Sequence, residues 1–109
     1  NSRPISWNPQ TNDYTLALTD RENAVAMNKG TANTVTVPAN ATVAFPVGTS
    51  IIIYQEGIGP TSIAAAGGVA LRVRNFGSPT VTMVAGQYGM VTLVKRATDE
   101  WVLSGDLYV

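Results

Sequence analysis

Cysteine and histidine are both absent from this 109-residue sequence. Without cysteine there is no disulfide and no thiolate nucleophile, and the redox compartment leaves no trace. Without histidine the usual acid–base group near neutral pH is missing, and so are histidine metal sites and histidine-containing triads. Charge is scarce as well. Seven basic and seven acidic residues cancel, and charged residues make up only 13% of the chain, about half the ~25% of an ordinary soluble domain. A neutral chain lacks the basic surplus that nucleic acid or an anionic membrane surface demands, so neither is an expected partner. The strongest apolar run, residues 51–54, is four residues long, far short of the roughly 18 that span a bilayer, and membrane insertion is not expected. No signal peptide is recognisable. A start at Asn1 rather than Met reads as a processed product or a piece of a longer chain.

What remains is enough for one domain and not comfortably two. Few charges at zero net charge suggest that part of the surface is covered in an assembly. Residues 1–13 are polar, hold Pro4 and Pro9, and carry Ile5 and Trp7 as their only large apolar side chains. They read as an irregular N-terminal arm with Trp7 as its anchor, followed by a single β domain over residues 14–109.

The domain is a succession of short alternating segments. Residues 14–18 predict a first strand with Leu16 and Leu18 inward. Val25 with Met27, and Val35 with Val37, mark the next two. Residues 38–46 are bracketed by prolines and suit a turn or cross-connection, with Phe45 plugging one end of the core. The central strand runs through Ile51, Ile52, Ile53 and Tyr54. Its period of two sends Ile51 and Ile53 one way, and Ile52 and Tyr54 the other. Both faces are apolar, so the outer one wants cover from a partner. The glycines at 57 and 59 suit a hairpin with a bulge. Later strands include residues 69–74, 80–84, 90–96 and 101–103, with Trp101 capping the core. No segment sustains a helical period. The pattern predicts a compact antiparallel β-sandwich or small β-barrel of eight to ten short strands.

Chemistry finds little purchase. The carboxylates are scattered, and no pair has the arrangement of a glycosidase or the ligand count of a calcium loop. No catalytic residue, metal ligand or cofactor site is expected. The glycine pairs do not open a helix that would cradle phosphate. Arg72 and Arg74 share a strand face, where ion pairs within an assembly or a solvated face are the simplest uses for them. Gln87 and Tyr88 sit in a turn and are the better candidates for a surface recognition loop.

Several stretches together resemble a small β domain of tailed-bacteriophage virion proteins. They are residues 16–20 (LALTD), Met27-Asn28, residues 33–38 (NTVTVP), residues 45–49 (FPVGT), Gln55-Glu56-Gly57 and residues 101–107 (WVLSGDL). Such domains stand at the C-terminal end of tail fibres and tailspikes, and related ones decorate capsids as trimers. The resemblance implies a non-enzymatic structural protein of the virion, associated as a homotrimer with other capsid or tail proteins. As a tail appendage it would meet a host surface glycan or receptor. In that setting Trp7, Ile52, Tyr54, Arg72 and Arg74 are the expected subunit or capsid contacts. A carbohydrate-binding module is the alternative, and two coplanar exposed aromatics would mark it.

Overall fold

A computed structural model describes residues 4–108. Residues 1–3 of the expected arm, and Val109 at the end of the expected β domain, lie outside them. The described chain forms β1 (Trp7–Gln10), β2 (Tyr14–Thr15), β3 (Ala24–Met27), β4 (Asn33–Val37), β5 (Ser50–Gln55), β6 (Thr61–Ala65), β7 (Ala70–Val73), β8 (Val81–Val84), β9 (Met90–Ala97), β10 (Glu100–Gly105) and β11 (Leu107–Tyr108). One turn of 3-10 helix, Leu18–Asp20, follows β2.

The strands make two facing sheets. Sheet A has six strands in the order β1-β3-β5-β9-β10-β7, and sheet B has five in the order β11-β8-β6-β4-β2. The all-β sandwich expected from the sequence is therefore present, but its pairing is mixed rather than antiparallel. From β1 to β8 each strand lies in the sheet opposite its predecessor, and only β9 to β10 stays within one sheet. Through β6, every second strand thus returns beside the strand two before it. β1, β3 and β5 pair in parallel, and so do β2, β4 and β6. A glycine-rich turn reverses the chain whether it closes a hairpin or crosses to the facing sheet. The glycines at 57 and 59, expected in a hairpin, carry the chain from β5 in sheet A to β6 in sheet B.

Two further expectations change for local reasons. Residues 7–10 are not an irregular arm; they form edge strand β1, in register from Trp7 opposite Ala24 to Gln10 opposite Met27. Pro9 is tolerated because an edge strand leaves one row of N–H positions unpaired. Leu16 is buried as expected, but Leu18 is exposed. The strand stops at Thr15, and the Asp20 carboxylate accepts the Ala17 N–H at 2.8 Å, turning the chain before Leu18 can point inward.

The core lies between the sheets. Val25, Met27, Ile51, Ile53, Val91, Leu93, Trp101 and Leu103 of sheet A meet Val35, Val37, Ile63 and Val84 of sheet B. Each such burial is worth about 1.5–3 kcal/mol. Phe45 closes one end, its ring edge-on to Trp101 at 5.4 Å between centroids. Near the crossing from β5 to β6 a polar knot replaces apolar packing. The Gln55 side chain accepts from the Thr61 N–H and donates to the Gly57 carbonyl, while the Thr61 hydroxyl donates to Asn33 Oδ1 at 2.7 Å. Gly59 lies so close to the preceding loop that a β-carbon there would come within 2.1 Å of the Thr31 carbonyl oxygen.

Candidate functional site

The two outer faces differ in chemistry. On sheet B the outward rows hold Thr15, Thr34, Thr36 and Ser62, joined by Ala64, Val81 and Met83 toward β8. Hydroxyl side chains of this kind suit water. On sheet A, Trp7, Ala24, Ile52 and Thr92 form one outward row. Pro9, Ala26, Tyr54 and Met90 form the next, and Val94 lies opposite Val102. Trp7, Met90, Val94 and Val102 are all exposed. Ile52 and Tyr54 do face away from the core, and both are half-buried among these neighbours. The small side chains of Ala24 and Ala26 leave a shallow floor between the strands flanking them.

Aromatic rings gather at one end of this face. Trp7 meets Tyr54 edge-on with centroids 5.5 Å apart, and Tyr54 lies near-parallel to Tyr88 at 6.4 Å and 30°. Trp7 remains 52% exposed and Tyr88 64%. Beside them is a cavity of about 290 Å³, bounded by Trp7, Pro9, Ala26, Tyr54 and Glu56. Gln87 belongs to the same corner, donating through Nε2 to the Glu56 carbonyl at 3.2 Å. Tyr88 is held at φ 70°, a left-handed conformation that bulky side chains rarely adopt. Its N–H donates to the Gln55 carbonyl at 2.7 Å, which fixes the turn against β5.

Trp7, Ile52, Tyr54, Gln87 and Tyr88 are thus brought to one surface. Arg72 and Arg74 stand apart from that cluster, beyond β10 on the far edge of sheet A. Arg72 pairs with Glu100 at 3.1 Å and donates to the Ser78 hydroxyl. Arg74 is exposed beside Phe76 and Ser104 around a separate cavity.

Two buried polar groups escape a reading by composition. Asp20 is 2% exposed and accepts from the Tyr14 hydroxyl at 2.6 Å, Asn8 Nδ2 at 2.8 Å and the Ala17 N–H. It ties β1 and β2 to the 3-10 turn. Burial, with the hydrogen bond to Asp20 and its charge, pushes the Tyr14 phenol up to about 12. The second is Lys95, 2% exposed, whose Nζ donates to Asn40 Oδ1 and to the Phe45 carbonyl. Its parity with Val91 and Leu93 on one strand is the signal that places it inward.

No family model, curated protein or solved structure matches the chain.

Proposed function

We propose that this chain is a non-enzymatic structural module of a tailed-phage virion that packs against copies of itself through the outer face of sheet A. The observation that carries the reading is the contrast between the two outer faces: one sets Thr15, Thr34, Thr36 and Ser62 beside Ala64, Val81 and Met83, while the other gathers Trp7, Ile52, Tyr54, Met90, Val94 and Val102 around Thr92. An exposed apolar face of this extent is expensive in water and is characteristic of an interaction surface. Closed association about a threefold axis would cover it without endless growth. The phage setting rests on the sequence resemblance. Mixing the purified chain with phage capsids and with host cells tests it. Capsid binding marks a decoration protein, and blocked phage adsorption marks a tail appendage. A chain that engages neither overturns the virion reading.

The Trp7–Tyr54–Tyr88 cluster favours a second reading, in which this corner of the face stacks against a saccharide. Tyr54 and Tyr88 lie within 30° of parallel, and Glu56 and Gln87 supply polar groups beside them. Glycan-array binding that disappears in Trp7→Ala and Tyr88→Ala would favour it over self-association.

A further inference from the structure

Lys95 lies at the end of the core, opposite Trp101 in the β9–β10 pairing, and among the described residues no carboxylate oxygen lies within 4 Å of its Nζ. Its two acceptors, Asn40 Oδ1 at 2.6 Å and the Phe45 carbonyl oxygen at 2.7 Å, are both neutral. Among the described residues the one ion pair is Arg72–Glu100. Burying an ammonium in this way carries a desolvation cost that neutral acceptors offset only in part, and lysine is seldom fully buried without a charged partner. Asn40 is held in place from behind: its N–H donates to Asp99 Oδ1 at 2.8 Å, and the turn from Ala39 that contains it is closed by the Thr42 N–H on the Ala39 carbonyl. The edge-on Phe45–Trp101 pair keeps the surroundings apolar. With a carbonyl bond of about 1.2 Å, Nζ lies at most about 3.8 Å from Asn40 Cγ. Near-attack geometry is about 3–3.5 Å.

We propose that Lys95 and Asn40 are the partners of an intramolecular isopeptide bond. Nζ passes a proton to Asn40 Oδ1 across their 2.6 Å hydrogen bond and attacks Cγ as the neutral amine; the Nζ–Cγ bond forms and the Cγ–Nδ2 bond breaks. Nδ2 departs as ammonia and carries off, as ammonium, the protons that Nζ gives up. An ammonium and a primary amide become a secondary amide and an ammonium ion, and no oxidant, metal or second substrate enters. Asp99 is a positioning residue that acts through the Asn40 main chain. The product removes the buried charge and ties the connection between β4 and β5 to sheet A, across 55 positions of sequence. None of these residues belongs to the proposed contact face, so the two readings stand or fall separately.

The test is the intact mass of the full folded chain, followed by tryptic mapping. The expected chain is one ammonia lighter than its sequence, and a branched peptide joins the Asn40 and Lys95 segments. Lys95→Met and Asn40→Ala should have the full masses of their own sequences. Asp99→Ala should slow appearance of the branched peptide, and Asp99→Asn, which retains an Oδ1 acceptor, should restore it. Full mass in the wild-type chain overturns the proposal. So does a loss of ammonia with Asn40 and Lys95 left unjoined. Because the wild-type map alone decides, variants that fail to fold leave the test intact.

Discussion

The ring of Tyr88 lies near-parallel to that of Tyr54, centroids 6.4 Å apart, while its own backbone stays in the left-handed region at φ 70°. A side chain in that region costs about 1–2 kcal/mol, and the turn bears that cost for a ring that is mostly exposed. Nothing in the core needs it. Tyr88→Gly should therefore leave the thermal midpoint equal or raised, while association or ligand binding at this corner falls. A lowered midpoint with unchanged binding would assign Tyr88 to folding instead.

The Tyr14–Asp20 contact predicts a pH dependence. The Tyr14 pKa is about 12 in the folded chain, above its ordinary 10.0. The folded state holds the phenolic proton more tightly than the unfolded state, so the stabilisation is complete below about pH 10 and disappears as pH rises toward 12. Tyr14→Phe removes a donor to buried Asp20 and should cost about 1–2 kcal/mol near neutral pH. It should also flatten the alkaline loss of stability. Urea midpoints of both proteins across the alkaline range check this; parallel curves would contradict it.

Two glycines separate close packing from mere turn formation. A β-carbon at Gly59 would run into the Thr31 backbone, whereas one at Gly30 would meet nothing within 4 Å. Gly59→Ala should lose about 1–3 kcal/mol, as overpacking generally does. Gly30→Ala should be neutral or slightly stabilising, because it restricts the unfolded chain. Equal effects in denaturant titrations would mean that the loops do not stack as described.

The period of two in residues 51–54 was enough to separate the two faces of the central strand. It set Ile51 and Ile53 against Ile52 and Tyr54; residues 90–95 alternate in the same way in the structure, and that parity buries Lys95, which in the sequence read only as part of a strand. Strand order was not legible in this way. Parallel pairing of β1 with β3, and of β3 with β5, depends on the crossings between sheets, and Gly57 or Gly59 looks the same in a hairpin as in a crossing. Nor did composition reveal that Trp7 would meet Tyr54, because Pro9 argues against a strand unless an edge is available to it. Tyr88 was legible as a turn residue, but its approach to Tyr54 required the β5–β9 register.

The self-association reading stands on the outward side chains of β5. Ile52→Asp leaves the core untouched, since Ile52 faces away from it beside Ala24 and Thr92. Sedimentation velocity of the wild-type chain and this variant, over a range of concentrations and alongside circular dichroism, is the most direct measurement. The account predicts a wild-type trimer and a folded Ile52→Asp monomer. A wild-type chain that stays monomeric at the highest concentration, or a variant trimer as stable as the wild type, would contradict it.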